Sequence, residues 1–587
     1  MENCIKGVFD IFEKIVYKNP EGVAIIDSNS KITYFELYQE ALKIHNNFIK
    51  VIDCKNRPVF IDLKPSWKRV ACILGLVASR SAYVPLEESF ISGNHSDYTS
   101  SIASNVIITD RDCCKFLSMK VFHLDQLCTD HCEQELKWLS AEDDMLEDIA
   151  YINFTSGSTG KPKGVQISNR NILSFTHGIR YSEFNTDSVF LSMAPLSFDA
   201  STFELFLPLL NGCSIVIVSE RVPSISMLES LIVKHSITHG WFTSSFFNVI
   251  ASANPNLFRT LKEVWVGGDV VNPKSVEIVY SFCSDISIMN GYGPTECTTF
   301  AFYYPIPREH NFELPIPIGK VIDNTDAYLL VDEQIVCLSP YLEGELLLGG
   351  PKLSKGYTSD ELGSERFLTR INPITNETEK LYKTGDKISV DKDGIAVFQG
   401  RLDNQVKING KRIDLNIVEH ALLQIVSIEN ATAKKVVVDG DELLVGFIVL
   451  RPGKTLEIEF IKLEVKKTLP LFMVPDLIQI EEKSVLTGTG KFDRKNLQYR
   501  KTNTTIEIEE NSEKFNLNNL LHLVSQVTLQ HEMVKSDMRI SDILTSLQIV
   551  KLHQQLESFL GIEILISTFF SCKTLDQLFM RIQEIRR

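Results

Sequence analysis

The chain has 587 residues, room for about three to five domains, and 44% of it is apolar, enough for sizeable cores. A net charge of −15 with no dominant basic patch argues against nucleic acid bound through its phosphates. No apolar run reaches the ~18 residues of a membrane span, the charged start MENCIKGVFDIFEKIV is no secretory signal, and the 12 cysteines form no disulfide framework; we expect a cytoplasmic protein with reduced thiols and no membrane partner.

Residues 8–17 have the periodicity of an amphipathic helix. β-rich runs at 22–26 and 31–34 lead into a helix over 35–49, and runs at 58–63 and 82–85 flank a helix over 67–79. Further on, 187–193 and 214–218 read as strands and 225–235 as a helix. This alternation predicts βαβ units and a mixed or parallel sheet. Cys128, His131 and Cys132, near His123, match no zinc spacing and lack a second ligand pair, so we expect thiols in a surface loop and no metal there.

An apolar run over 149–154, broken by Asn153, reads as a buried strand entering TSGSTGKPKG (155–164). Thr155, Ser156, Ser158 and Thr159 stand there among Gly157, Gly160 and Gly164, with Lys161 and Lys163 at the end. Glycines let the backbone approach an anion, and successive N–H groups can form an anion-binding nest. The loop suits nucleotide phosphates but is not the GxxxxGK[ST] loop; composition alone equally allows an ordinary Gly/Ser surface loop.

In SFDAS (197–201), Asp199 lies among Phe198, Ala200 and Phe203. Either it caps a helix from Thr202, or it is buried and needs a cation. Strand-like runs at 263–266 and 286–289 end in GGD (267–269) and NGYGPTE (290–296). Small residues after a strand let a flat ring approach the backbone. Glu296 is a Mg²⁺-type carboxylate or a solvated turn residue. YKTGD (382–386) places Asp386 at a turn after a strand, fit for ribose hydroxyls or for an Asx turn. GRLDNQVKINGKRI (400–413) opens on a polar GRLDN segment between two β-rich runs, and TGTGK (487–491) is a Gly-rich turn. Residues 499–514 read as a polar linker, and 517–530, 546–559 and 575–585 as helices.

These seven motifs, in this order, resemble the adenylate-forming (ANL) superfamily over about the first five hundred residues. SFDASTFE and GRLDNQVKI resemble the amino-acid-activating domains of nonribosomal peptide synthetases. The resemblance implies an α/β fold: a large mixed α+β subdomain (1–400) and a small, mobile α+β subdomain (401–500) hinged at Asp403. The last helices resemble an all-α helical-bundle carrier domain (515–587), with Ser546 as the attachment point for 4′-phosphopantetheine. Alternatively, Ser546 is an ordinary helix-start serine, since Asp542-Ile-Leu-Thr precedes it where glycine, often with Asp, is usual.

The resemblance further implies an ATP-dependent, AMP-forming ligase. In it Lys491 bridges the substrate carboxylate and the phosphate, and Thr155, Ser156, Gly157, Ser158, Thr159, Gly160 and Lys163 grip phosphates. Tyr292 stacks on adenine beside Gly267 and Gly268, Thr295 contacts the α-phosphate, and Glu296 binds Mg²⁺. Asp386 takes the ribose, and Arg401 reaches ribose or phosphate. Asp199 anchors the α-ammonium of an amino acid. Ala200, Phe203, Trp241, Trp265, Gly267, Gly291, Thr299 and Phe300 line the side-chain pocket, a set like that of valine-activating domains. Trp265 departs from it, standing where an aliphatic residue is usual, so the pocket is smaller or reshaped. Asn409 and Asn416-Ile417 also depart, near the hinge. No condensation or thioesterase segment fits the remaining length, so a phosphopantetheinyl transferase and a downstream condensation or acyl-transfer enzyme are expected partners. The rivals are an acyl- or aryl-acid CoA ligase, which has no ammonium for Asp199, and a catalytically silent scaffold, against which Lys491, Glu296 and Asp386 stand.

Overall fold

A computed structural model describes residues 5–27, 30–51, 57–86, 102, 104–111, 119–129, 145–155, 163–182, 184–220, 223–359, 364–371, 378–408, 410–438, 441–451, 453–481, 497–500, 515–528, 534–544, 546–562, 564, 568–569 and 572–586. The chain divides into two compact units: Met1–Arg221, Ile232–Ser244 and Phe258–Asp414 form the first, and Val222–Leu231, Ser245–Leu257 and Leu415–Arg587 the second.

The first unit carries two large sheets. One has nine strands. Its centre, Ser287–Tyr292, Glu263–Gly267, His239–Thr243, Val189–Ser192, Ser214–Ile217 and Val23–Asp27, is parallel, with antiparallel strands at both edges. Near-continuous apolar runs such as Val23–Asp27 (VAIID) suit strands covered on both faces. The other sheet has seven strands, with Val59–Asp62 and Tyr83–Pro85 near its middle and the Ile149–Thr155/Lys163–Ser168 hairpin toward one edge. Helix Trp67–Ala78 is buried from Arg69 to Ala78, as its all-round apolar sequence requires; its Ser66 cap accepts from the Arg69 amide at 3.3 Å. The main core takes Ile25 and Ile215 from the nine-stranded sheet and Ile61, Tyr151 and Ile167 from the seven-stranded one, with Phe12, Tyr34 and Val70 of the helices.

A third sheet is built on Asp326–Val331, Glu343–Gly349 and the long strand Thr378–Val390, to which Ala396–Arg401 pairs. Gln405–Ile408 and Lys411–Asp414 follow as a separate two-stranded hairpin. The second unit holds a three-stranded sheet (Ile428–Val438, Asp441–Leu450, Leu477–Ile480) with helices Leu415–Leu423 and Ile458–Lys466. Helices Leu517–Thr528, Ile540–Ile543, Ser546–Leu560 and Leu575–Arg586 make up its C-terminal part. No helix among the described residues is long and apolar enough to cross a membrane.

Candidate active site

The site grows from the C-terminal ends of the parallel strands, where ligands lie in open α/β sheets. Trp241, Trp265 and Met289 are in register across three neighbouring strands, and Thr243, Gly267 and Gly291 follow two residues on, on the same face. Trp265 is fully buried. Its indole N–H donates to Glu263 Oε1 at 2.6 Å, which also accepts from Ser182, so the polar atom of the buried ring is satisfied. The Phe300 ring stacks on it, centroids 5.1 Å apart, and Phe203 packs against both at 5.4 and 5.6 Å. Ala200, Phe203, Trp241, Trp265 and Phe300 thus meet in one apolar cluster. Two glycines are obligatory in it. A Cβ on Gly267 would lie 2.3 Å from the Gly291 carbonyl, and one on Gly291 would lie 2.9 and 3.0 Å from the Phe300 and Trp265 rings.

Asp199 stands just before helix Ala200–Leu209 but does not cap it. Its backbone is already helical and its side chain makes no cap bond; the helix also begins two residues earlier than the sequence suggests. The carboxylate instead accepts from the Thr295 hydroxyl at 2.6 Å, and the Asp199 carbonyl accepts from the Thr299 hydroxyl at 2.8 Å. Burial raises the Asp199 pKa, an effect that the Thr295 bond and, more weakly, the charge of Lys407 oppose. Asp199, Thr295, Thr299 and the aromatic cluster are therefore contiguous.

The predicted nucleotide residues form a second cluster. Asp386 is not at a turn after a strand, as expected, but inside Thr378–Val390. The ladder runs on through YKTGD because Gly385 adopts a positive φ of 74° where the pairing register shifts. Asp386 accepts from the Tyr292 hydroxyl and the Arg401 guanidinium. Arg401 also donates to Asp403 at 2.7 and 2.8 Å, and Arg366 to the same carboxylate at 2.8 Å. Burial of Asp403 works against ionisation, but the Arg401 and Arg366 bonds outweigh it and hold the carboxyl well below its usual range.

Glu296, in the 3₁₀ turn Thr295–Cys297, is 1% exposed. Arg412 of the 411–414 strand donates to it at 3.3 and 3.4 Å, and Tyr357 at 2.8 Å. Burial pushes its pKa up, but Arg412 and Tyr357 prevail and the net shift is downward. Lys163 begins the second strand of the Ile149–Thr155/Lys163–Ser168 hairpin, paired with Thr155. It is buried, its ammonium lies 5.3 Å from the Tyr357 ring centroid, and burial, with Arg366 and Arg412 nearby, lowers its pKa. Thr155 donates to the Lys163 carbonyl at 3.5 Å.

Ser156, Gly157, Ser158, Thr159, Gly160 and Lys491 lie outside the described residues, as do His131, Cys132, Asn409 and residues 501–514. Ser546 opens helix Ser546–Leu560. Sequence reading missed Arg366, Tyr357 and Arg412. Arg412 stood inside a quoted motif, where its charge within a β-rich run was the signal; Arg366 and Tyr357 carry none. Among the described residues no group of three or more His, Cys, Asp or Glu side chains is arranged to hold a metal.

The family described as "AMP-binding enzyme" matches residues 12–358. Tyrocidine synthase 3 of Brevibacillus parabrevis is 32% identical over 495 residues, 83% of this chain, and the chain spans only 7% of that synthase. A solved protein described as holo-PA1221, an NRPS protein containing adenylation and PCP domains bound to a vinylsulfonamide inhibitor, superposes with a TM-score of 0.80. That match covers 99% of this chain and 97% of the other at 23% identity, a likeness of fold. The Klebsiella oxytoca NpsA N-terminal subdomain, solved with 3-hydroxybenzoyl-AMSN, is 26% identical with a TM-score of 0.61, covering 68% of this chain and 100% of that one.

Proposed function

Because the chain belongs to the AMP-binding enzyme family, we propose that it activates an apolar amino acid, valine or one of similar or smaller size, as aminoacyl-AMP and loads it as a thioester on its own C-terminal helical bundle. The observation that carries this reading is the Asp199 carboxylate. It is left uncapped at the edge of the aromatic cluster and held by the Thr295 hydroxyl. A carboxylate drawn out of water without a bonded cation is costly, and the α-ammonium of an amino acid supplies the missing charge. An aryl acid, as in the NpsA complex, offers no such group.

In the reaction a substrate carboxylate oxygen attacks the α-phosphorus of ATP, and the bond to the leaving pyrophosphate breaks. Thr155 and Lys163 bound the proposed phosphate loop in sequence, and Lys491 would neutralise charge as it develops. Catalysis is then chiefly positioning and electrostatics. Glu296 has the hard oxygen donors that Mg²⁺ requires, and in this arrangement Arg412 holds them. When bound, the ion would neutralise phosphate charge. Ser546, at the start of its helix, would carry 4′-phosphopantetheine, whose thiol is the acyl acceptor. Asp403 is the proposed hinge, at the polar bend between Ala396–Arg401 and Gln405–Ile408. A downstream condensation or acyl-transfer enzyme would take the product.

The test is amino-acid-dependent ATP–pyrophosphate exchange with a panel of amino acids and benzoates. We expect exchange with L-valine, L-alanine or another small aliphatic amino acid. Exchange only with benzoates, or only with charged or large aromatic amino acids, would refute the reading.

A further inference from the structure

Lys352 follows strand Glu343–Gly349 in a segment that no predicted role touches, and it is completely buried. Its ammonium donates to the Phe300 carbonyl and sits 5.6 Å from the Phe175 ring centroid. The Lys352 carbonyl in turn accepts from the Thr298 hydroxyl at 2.7 Å. The Asn171 amide clamps the backbone on either side, donating to the Pro351 and Leu353 carbonyls at 2.8 Å each. The turn it meets is strained: Thr298 and Thr299 have φ of 52° and 70°, which branched residues rarely adopt. That turn carries Phe300, whose ring stacks on Trp265, and Thr299, whose hydroxyl holds the Asp199 carbonyl.

A desolvated ammonium is an expensive prop, and an apolar side chain of equal volume would pack the same space more favourably. Burial lowers its pKa to about 8, although the Cys297 thiol and Asp323 carboxylate favour its charged form. What the ammonium adds over an apolar filler is direction, since it fixes the carbonyl of a residue that walls the pocket. We propose that Lys352 is a positioning residue for the amino-acid pocket: through the Phe300 carbonyl it holds the strained turn that sets both the aromatic wall and the backbone of the ammonium anchor. This rests on the amino-acid reading above and names the group that governs its selectivity.

The experiment compares the full chain with Lys352→Met, Lys352→Gln and Lys352→Arg in ATP–pyrophosphate exchange with L-valine, L-alanine and L-leucine, each variant checked for folding by circular dichroism. Lys352→Met should raise KM for the best amino acid about tenfold, leave KM for ATP within about twofold and kcat within about threefold, and narrow the discrimination among the three amino acids. Lys352→Gln and Lys352→Arg, which keep an N–H donor, should recover part of the lost affinity and selectivity. Unchanged amino-acid KM values in a folded Lys352→Met, equal losses in KM for amino acid and ATP, or failure of all three variants to fold would overturn the proposal, the last two marking a merely structural prop. Wild-type inactivity toward the whole panel and every other amino acid would instead sink the amino-acid reading, and this inference with it.

Discussion

Burial raises the pKa of Asp199 from its ordinary value, and the Thr295 hydroxyl and the Lys407 charge only partly offset it. A raised folded-state pKa contributes stability that is complete below the unfolded value, about pH 4, and is lost as pH rises through the folded value. Where Asp199 is ionised in the protein without substrate, its charge works against the fold. Asp199→Asn keeps an acceptor for Thr295 and removes that charge. We expect its first thermal transition at pH 8 to lie roughly 2 °C above the wild type, the gap closing below pH 4 in calorimetry at both pH values. In exchange assays the same variant should lose about a hundredfold or more in kcat/KM for the amino acid, since the α-ammonium loses its partner, with KM for ATP unchanged. Equal melting and full activity would show that Asp199 faces no ammonium. Residue type and neighbours made this carboxylate legible in sequence. What they left open, whether Asp199 caps the helix, is decided by backbone conformation, which no local pattern carries.

At the scale of elements, the strands and helices of the first unit were readable because their apolar periods are strong. The helix expected over 67–79 is observed as Trp67–Ala78, and the strand expected over 58–63 as Val59–Asp62. The misreading of Asp386 has a definite cause: a Thr-Gly-Asp run commonly marks a turn, whereas here the register shift against Glu343–Gly349 absorbs Gly385, at positive φ, within one strand. The Gln405–Ile408/Lys411–Asp414 hairpin was visible only as a β-rich run after the polar GRLDN segment, because its anchor, Arg412 on Glu296, joins residues 116 apart in sequence. That pair supports a prediction. Arg412→Ala leaves a carboxylate that is 1% exposed without its cation, a loss of about 3–5 kcal/mol for a buried pair broken on one side. The melting temperature should fall by roughly 6 °C or more at pH 7. Arg401 and Arg366 remain on Asp403 and do not compensate. Because the Glu296 pKa is depressed, its contribution is present above the unfolded carboxylate value and lost as pH falls through the folded one. The deficit of Arg412→Ala should therefore shrink below about pH 4. The double variant Arg412→Ala/Glu296→Gln should recover most of it at pH 7, a coupling that a double-mutant cycle reads directly.

At the scale of the whole molecule, the decisive question is whether both half-reactions belong to one chain. Of the proposed adenylating residues, Lys491 belongs by chain position to the second unit with Ser546 and the others to the first, so on this proposal the acyl group would pass to a carrier residue of the same chain. Attachment in one chain makes the acceptor's effective concentration independent of how much protein is present. After treatment with a phosphopantetheinyl transferase, ATP and radiolabelled L-valine, the fraction of chain loaded per unit time should stay constant over a tenfold range of protein concentration. A rate that rises in proportion to concentration would mean that one molecule loads another. The label should be released by hydroxylamine, as a thioester is. Ser546→Ala should abolish both the label and the mass gain from the transferase, while amino-acid-dependent pyrophosphate exchange persists, because adenylation ends before the carrier is needed. Exchange without any loading of the wild type would leave the chain as an adenylating enzyme whose helical bundle serves another purpose, and the unusual Asp542-Ile-Leu-Thr lead into Ser546 would be the first place to seek the reason.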